Sequence, residues 1–120
     1  MTLVLRGQVW AVNFEPQTYR QEPGKNERPA LVIQTDALNK AGHPTTIVIP
    51  GTSQTDSLSP EDHFPLRIRI QKTGELKYDT DLLIDQVRAI SNARFMFCYC
   101  SVGVNHLTKV DDALRLVTGR

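Results

Sequence analysis

Arginines, carboxylates and hydroxyls near the ends of predicted strands are the side chains of this sequence best suited to chemistry. Many such side chains are present, and Arg28 before one predicted strand, Thr52 after another and Glu22 in a polar loop are three examples that nothing in their own positions distinguishes from the rest. Grouped around a phosphate, a carboxylate could take the proton of a ribose 2′-hydroxyl while an arginine neutralises the charge developing on the phosphoryl oxygens. A hydroxyl could bond the same phosphate, so RNA cleavage would need no metal. Considered singly, the three are better interpreted as a strand-capping arginine, a loop threonine and a solvated glutamate.

Sequence motifs for other kinds of catalysis are missing. The chain has no glycine-rich phosphate loop, no GxSxG elbow, no HExxH pair and no paired CxxC motif. The histidines His43, His63 and His106 lie far apart in predicted loops, which is more typical of solvated side chains than of a metal triad. We therefore expect neither a metal nor another cofactor.

The composition is that of an ordinary globular domain, and we expect residues 1–120 to form a single unit. Apolar residues make up 40% and charged residues 22% of the chain, which argues against disorder. Fourteen lysines and arginines accompany thirteen acids, so the formal net charge is +1. Because this balance offers no general attraction to a polyanion, any nucleic-acid site has to be a local concentration of arginines.

The sequence also carries no sign of export or membrane insertion. Its N-terminal apolar run meets Arg6 after five residues, too early for a signal-peptide core, and no run is long enough to cross a bilayer. Cys98 and Cys100 are two residues apart, which in a regular strand puts them on one face roughly 7 Å apart, too far for an easy disulfide. We therefore expect a cytoplasmic protein with two reduced thiols and no membrane contact.

The elements that must position these groups are short apolar or alternating segments separated by polar turns. Six strands are predicted, at residues 8–14, 30–34, 45–49, 66–70, 81–90 and 95–104. The period then changes to that of a helix, with Thr108 as its predicted N-cap, Gly119 after its end, and a buried face at Val110, Ala113, Leu114 and Val117. Successive strands without intervening helices favour a small, mostly antiparallel barrel or coiled sheet.

Two of these strands carry side chains whose direction matters for a site. Leu66 to Ile70 alternates strictly, so Arg67 and Arg69 share one face, where they either guide an RNA backbone or form a solvated edge. Trp10 and Phe14 are four residues apart and therefore lie on one face of the first strand. For these two aromatic residues a core position is favoured over a platform on which bases stack.

Six segments along the chain form a recognisable series. They are RGQVW from Arg6, the loop and strand from Glu22 that end in RPALV, IPGTS from Ile49, FPLRI from Phe64, DQVRAI from Asp85, and the closing DDALRLVTG. Each segment is weakly specific alone, but together they run from Arg6 to Gly119 in one order. The series resembles that of the MazF/PemK toxins, endoribonucleases of type II toxin–antitoxin systems.

The resemblance implies a mostly β (α+β) fold, a compact SH3-like antiparallel β-barrel with short helices and a C-terminal helix. It places Arg28 at the family's phosphate-stabilising arginine, Thr52 at its active-site threonine and Glu22 at its candidate general base. These three are the predicted catalytic residues. An arginine suits its role because the guanidinium fork matches two phosphate oxygens and stays charged.

The RNA-binding residues implied by the resemblance lie in two polar loops and on strands. Loops 17–27 and 51–65 are expected to flank the RNA groove and read the bases. The set is Gln21, Lys25, Ser53, Gln54, Arg67, Arg69 and Arg88.

The strand that begins at Asp85 offers a second interpretation. Asp85, Gln86 and Arg88 are expected to form a structural or dimer-contact network. An alternative catalytic set of the Kid-type branch is incomplete, because Leu83 and Gln21 stand where that branch has an arginine and a histidine. The hydrophobic run at residues 95–100 indicates either a larger dimer face or a strand buried against the helix.

The resemblance also implies partners and products. It predicts a homodimer, single-stranded RNA as substrate, 2′,3′-cyclic phosphate and 5′-hydroxyl ends, and inhibition by a MazE-like antitoxin whose disordered acidic tail mimics the charge of RNA. Two alternatives stay open: a CcdB-like toxin of the same fold that poisons gyrase, and a non-catalytic relative that binds only RNA or an antitoxin. Retention of Arg28 and Thr52 favours the nuclease over the gyrase poison.

Overall fold

The computed structural model describes residues 3–14, 27–53, 55 and 62–120. In these ranges the chain forms β1 (Gln8–Asn13), β2 (Glu27–Val32), α1 (Asp36–Lys40), β3 (Thr45–Thr52), β4 (Arg67–Ile70), β5 (Thr80–Leu83), β6 (Arg88–Ser91), β7 (Phe95–Ser101) and α2 (Val104–Thr118). Single 3₁₀ turns at Ile84–Gln86 and Asn92–Arg94 lead into β6 and β7.

The strands form one antiparallel sheet in the order β4-β5-β3-β2-β1-β7, and β6 pairs with the first half of β3. The sheet coils until its two edges approach, and the Glu75 N–H donates a 3.3 Å hydrogen bond to the Tyr99 carbonyl near this gap. β4 and β7 do not pair as strands, so the sheet is not a closed barrel. The prediction of a mostly antiparallel β fold with a C-terminal helix is confirmed.

Alternate residues of the strands face two different cores. The first core lies under α2 and contains Val9, Leu31, Ile49, Ile68, Leu82 and Val110. The second covers the opposite face of the sheet and contains Trp10, Val12, Ala30, Val48 and Ile90. Trp10 is 4% exposed and its indole N–H donates to Gln8 Oε1 at 2.9 Å, so its predicted core position is confirmed.

The C-terminal helix starts earlier than the sequence pattern predicts. Its N-cap is Gly103, in an extended conformation, and the predicted N-cap Thr108 lies inside the helix. The prediction was wrong because Leu107, which packs on the first core, adds one more position to the buried face. Gly119 ends the helix at φ 79°, a left-handed conformation that glycine adopts without strain, as predicted. Across the described ranges, no helix has both the length and the apolar character to cross a membrane.

The predicted strand at residues 81–90 is two strands separated by a turn. β5 pairs with Gly51 and Thr52 at the end of β3, whereas β6 pairs with residues 45–48 at its beginning. Between them, the Ile84 N–H donates to the Leu66 carbonyl at 3.0 Å, and the Ile84 side chain enters the first core. β3 itself extends through Thr52, beyond the stop predicted at Pro50-Gly51, because both β2 and β5 supply partners there.

A regular strand would place the two cysteines on one face, and that prediction was wrong because they lie on opposite faces. β1 pairs with Cys100 through Val9 and with Cys98 through Trp10, so Tyr99 is the additional residue of a β-bulge. Cys98 therefore packs on the second core and Cys100 on the first. Both thiols are free, and burial raises the pKa of each above its ordinary value.

Arg6, the first residue of the opening motif, ties the N-terminal segment to the C-terminal helix. Its Nη2 donates to both carboxylate oxygens of Asp111 at 3.0 Å, and its Nη1 donates to the Ile33 carbonyl. The Arg6 backbone N–H donates to Asp36 at 2.7 Å, and this bond is the main reason why the pKa of that carboxyl lies below its usual value. Arg6 has a structural role in this fold.

Candidate active site

A row of polar side chains crosses four strands on one face of the sheet. Thr52 of β3 lies opposite Asp81 of β5, and Asp81 lies opposite Arg69 of β4. The register between β2 and β3, continued by two residues, brings Arg28 opposite Thr52. Directly opposed residues point to the same face, and neighbouring strands are about 4.8 Å apart. The four side chains, which we call the polar row, therefore share one stretch of surface.

Arg28 is held against the residue that precedes Thr52. Its Nε and Nη2 donate to the Gly51 carbonyl at 3.3 and 3.2 Å, and its guanidinium carbon lies 5.9 Å from the centre of the Phe14 ring. The Arg28 Nη1 makes no hydrogen bond to any residue that the structure describes. The side chain is half-buried, as is that of Thr52. The structure thus brings together the predicted phosphate-stabilising arginine and the predicted threonine.

Gly51 lets β3 lie close against β5 at this point. A Cβ atom at position 51 would lie 2.5 Å from Thr80 Cγ2 and 3.5 Å from the Pro29 carbonyl oxygen. The first distance is shorter than a van der Waals contact, so any side chain here would displace β5 or rotate Thr80. Because the Gly51 carbonyl also receives the Arg28 guanidinium, the position of that guanidinium depends on this close packing.

Asp81 is a buried carboxylate between two arginines. The residue is 1% exposed, and its oxygens accept from Arg67 Nη1 at 3.3 Å, from Arg69 Nε at 2.8 Å and from Arg69 Nη2 at 3.3 Å. A buried charge needs such partners, because an unpaired one costs several kcal/mol. The arginine side chains are 32% and 19% exposed. They share one face as predicted, on an edge strand, and both turn towards Asp81 while keeping part of their contact with water.

Phe14 lies between two arginines of the same face. The guanidinium carbon of Arg88 is 5.4 Å from the ring centre, and that of Arg28 is 5.9 Å from it. Both distances are within the range of cation–π attraction. The ring also packs on the second core, so the predicted core position of Phe14 is confirmed. The prediction did not include its contacts with the two arginines. Phe14 sets the spacing between Arg28 and Arg88.

The five charged side chains described so far make this face locally basic. Arg28, Arg67, Arg69 and Arg88 carry four positive charges and Asp81 one negative charge, so the sum of this group is +3. A protein of net charge +1 thereby presents a surface suited to a phosphate backbone.

The other predicted residues are not all within the polar row. Ser53 lines a separate cavity of about 240 Å³ with Glu27 and Tyr99. Asp85 and Gln86 are exposed in their 3₁₀ turn. Neither of these described residues forms a hydrogen bond with Arg88, so the network predicted for the three is not formed within this chain. Four predicted residues lie outside the described ranges: Gln21, Glu22, Lys25 and Gln54.

Glu27 is the residue before Arg28 in β2, so the two side chains point to opposite faces of the sheet. The Tyr99 hydroxyl donates to Glu27 Oε2 at 3.4 Å. Burial raises the pKa of Tyr99, and the charge of Glu27 raises it further. Within residues 3–14, 27–53, 55 and 62–120, no three histidine, cysteine, aspartate or glutamate side chains converge as metal ligands would.

Sequence reasoning missed Asp81 and the packing of Phe14 against two arginines. The signal for Asp81 was the alternation of β4 and β5, because Arg67 and Arg69 face away from the apolar side, as Asp81 does. The exact partner could not be counted out from the turn, because the Thr73–Leu76 bridge continued regularly would place Arg69 opposite Thr80, one residue away from its partner Asp81. No comparable signal in the sequence marks the arginines beside Phe14, because β2 and β6 are distant along the chain.

Comparison with known proteins gives consistent results along the chain. Residues 5–118 match the family model described as PemK-like, MazF-like toxin of type II toxin-antitoxin system. Endoribonuclease EndoA of Bacillus subtilis (strain 168) is 30% identical over 114 residues, which cover 95% of this chain and 93% of EndoA.

Solved structures share the fold at lower identity. The MazE-MazF complex (Form-II) from Deinococcus radiodurans matches with a TM-score of 0.74 and 21% identity, over 99% of this chain and 98% of that one. An endoribonuclease from Mycobacterial species matches with a TM-score of 0.71 and 16% identity, over 99% and 94% of the two chains. At these identities the likeness establishes the fold alone.

Proposed function

The chain belongs to the PemK-like, MazF-like toxins of type II toxin–antitoxin systems, and we propose that it is an endoribonuclease that cleaves single-stranded RNA without a metal. The observation that carries this proposal is the contact of the Arg28 guanidinium with Gly51, the residue before Thr52. It puts a permanent cation and a hydroxyl beside one another on a basic face. A relative with 30% identity, EndoA, is named an endoribonuclease.

In the proposed reaction the 2′-oxygen of the substrate attacks the adjacent phosphorus and the bond to the 5′-oxygen breaks. Arg28 neutralises the charge that builds on the phosphoryl oxygens, and Thr52 donates a hydrogen bond to one of them. The proton of the 2′-hydroxyl goes to a general base, and water supplies a proton to the departing 5′-oxygen. The products are a 2′,3′-cyclic phosphate and a 5′-hydroxyl end.

Glu22 is the proposed general base, on the strength of the family resemblance. Gln21, Lys25 and Gln54 are proposed to contact the RNA on the same grounds. Glu27 is next to Arg28 in sequence, but its side chain points to the opposite face of β2 and accepts a hydrogen bond from Tyr99, which favours a different carboxylate for the base.

Arg67, Arg69 and Arg88 are proposed to bind the RNA backbone on either side of the scissile phosphate. Asp81 orients Arg67 and Arg69 on the face that carries Thr52, and Phe14 positions Arg88 beside Arg28. Arginines anchored in this way lose less side-chain entropy on binding than mobile ones. Ser53, which faces the neighbouring cavity, is proposed to contact an adjacent nucleotide.

We expect a simple experiment to separate the nuclease from the open alternatives. Purified protein is incubated with a long unstructured RNA in EDTA, beside Thr52→Ala, and the ends are analysed for cyclic phosphate. Wild-type protein should cleave in the chelator, and Thr52→Ala should be at least about tenfold slower because one phosphate hydrogen bond is lost. Chelator-sensitive cleavage would contradict the metal-free mechanism, and intact RNA would favour the gyrase poison or the non-catalytic relative.

We further propose that a MazE-like antitoxin inhibits the protein and that both act in the cytoplasm. A solved structural relative is a MazE-MazF complex. An acidic antitoxin segment would find the same four arginines that we assign to RNA, so binding of antitoxin and of substrate would be mutually exclusive. The free thiols of Cys98 and Cys100 fit a reducing compartment.

A homodimer is proposed with β7 in its interface. β7 is an edge strand of the sheet, and its Met96 and Phe97 are 51% and 45% exposed. Neither α2 nor another described element covers these two side chains, so the alternative of a strand buried against the helix does not hold for them. Exposed aromatic residues on an edge strand are typical of interfaces.

Phe97→Arg is therefore expected to raise the dimer dissociation constant at least about tenfold, because a charged side chain would replace an aromatic one that the proposed interface buries. Multi-angle light scattering across a dilution series measures this change. Leu38→Arg, an exposed leucine of α1 with 40% exposure, is the matched control and should leave the dimer intact. A monomeric wild-type protein, or an equally dimeric Phe97→Arg variant, would contradict the assignment.

A further inference from the structure

A basic cavity lies in the gap between the two edges of the sheet. Its volume is about 500 Å³, and it is enclosed by the end of β4, the loop that follows, the end of β7 and the start of α2. The polar residues that line it include Arg69, Lys72 and Thr73 on one side and Ser101, His106 and Lys109 on the other. A cavity of this size can hold a nucleotide-sized ligand.

The charge of this cavity has one sign. Lys72 and Lys109 contribute two positive charges, Arg69 adds a third that its ion pair with Asp81 partly offsets, and the lining contains no aspartate or glutamate. Lys72 and Lys109 form no ion pair with the residues that the structure describes. Cationic side chains that converge on one cavity without an acid raise the local concentration of anions.

The first turn of α2 adds to the positive electrostatic potential in the cavity. The cap residue Gly103 lines the cavity, makes no side-chain cap, and the first turn contains no acidic residue. The positive end of the dipole of this 15-residue helix is thus uncompensated where the lysines converge. This contribution reinforces the basic side chains and is secondary to them.

Arg69 connects this cavity to the polar row. Its guanidinium bonds Asp81, which lies directly opposite Thr52, and the residue also lines the cavity. From β3 across β5 to β4 is two strand spacings, about 10 Å. A nucleic-acid strand whose scissile phosphate lies at Thr52 can therefore continue over Arg69 into the cavity.

We propose that the basic cavity between β4, β7 and α2 binds a backbone phosphate of the RNA substrate, away from the bond that is cleaved. This proposal rests on the nuclease function proposed above. The continuity with Thr52 through Asp81 and Arg69 favours RNA over an acidic peptide as the occupant. The cavity extends the substrate contact beyond the two polar loops and adds affinity without base selectivity, because phosphate contacts carry no sequence information.

The test compares two oligonucleotides that share one cleavage site, mapped first on a long RNA with the wild-type protein. One spans only the nucleotides next to the scissile bond, and the other is extended by about eight nucleotides on both sides, enough to pass the roughly 10 Å from Thr52 to Arg69 and to enter the cavity beyond. Lys72→Ala/Lys109→Ala should raise KM for the extended RNA about tenfold, leave kcat unchanged, and leave the short RNA unaffected. The salt dependence of extended-RNA binding should weaken, by about 0.7 in the log–log slope per lost phosphate contact.

Lys40→Ala/Arg120→Ala is the matched control, because it removes two positive charges outside the cavity. A second measurement follows the backbone amide signals of Gly103 and His106 by NMR while a non-cleavable extended oligonucleotide, with a deoxyribose at the scissile position, is added. Shifts that the short oligonucleotide does not produce support the proposal.

The outcomes separate this inference from the function on which it rests. Wild-type protein that cleaves no RNA contradicts the nuclease function itself. Wild-type cleavage with the same KM for the cavity variant and the control overturns the cavity proposal alone. A cavity variant with unchanged KM that escapes inhibition by an acidic antitoxin segment also overturns it, because the occupant would then be the protein partner.

Discussion

Arg28→Ala is expected to lower the single-turnover rate of RNA cleavage by at least about two orders of magnitude, the usual cost of removing one charge-stabilising donor. The Arg28 guanidinium is fixed by the Gly51 carbonyl and by the Phe14 ring, so it is in place before the substrate binds. A donor that needs no reorganisation contributes most at the moment when negative charge builds up on the phosphate. Single-turnover kinetics at saturating protein measures the chemical step directly.

Arg28→Lys is the informative companion of that variant. Lysine keeps the charge, but it lacks the planar fork that bonds Gly51 and phosphate oxygens together, so an intermediate rate is expected. Arg120→Ala, which removes a positive charge at the end of the chain, should cleave at the wild-type rate. If Arg28→Ala folds normally by circular dichroism and its rate stays within about threefold of wild type, Arg28 is not a catalytic residue.

Asp81→Asn is expected to lower the free energy of unfolding by about 2–4 kcal/mol, because it removes the charge that compensates Arg67 and Arg69. Asp81 is almost fully buried, whereas the arginines keep part of their contact with water. That partial exposure puts the expected loss below the largest values known for buried ion pairs. Urea denaturation followed by tryptophan fluorescence reports the change, since Trp10 lies in the second core.

A double-mutant cycle assigns the loss to the pair rather than to the substitution. Arg69→Gln combined with Asp81→Asn should be less destabilising than the sum of the single variants by about 1 kcal/mol or more. Asp112→Asn, which breaks the exposed pair with Arg115, should change stability by less than about 0.5 kcal/mol. Additive effects at Asp81 and Arg69 would contradict a direct energetic coupling between them.

Most strands could be located from the sequence because they alternate or form short apolar runs. The division of residues 81–90 into β5 and β6 could not be predicted, because its cause is the pairing of both strands with different halves of β3. Periodicity reports the faces of a strand and contains no information about which partner stops it. The prediction that the two cysteines lie on one face was wrong for a related reason. The bulge at Tyr99 is a property of the register with β1, which the sequence of β7 alone does not contain.

Some residues of the candidate site could likewise be predicted from the sequence, and others could not. Arg28 and Thr52 could be named because short motifs around them are similar to those of a known family. Asp81 lies outside those motifs and acquires its importance only when β4 and β5 are paired. Asp81 is the first residue of the predicted strand at 81–90, and its burial requires cross-strand partners of opposite charge that only the pairing of β4 with β5 supplies.

The close packing of β3 against β5 at Gly51 also constrains how this chain can diverge. A methyl group at position 51 would meet the Thr80 methyl at 2.5 Å and force Thr80 to rotate or β5 to move, so the sizes of these two residues do not vary independently without cost. Serine or alanine at position 80 would open the room that alanine at position 51 requires. Substitutions at this pair should therefore arise together in descendants of this protein, although neither residue itself touches the substrate in the proposed reaction.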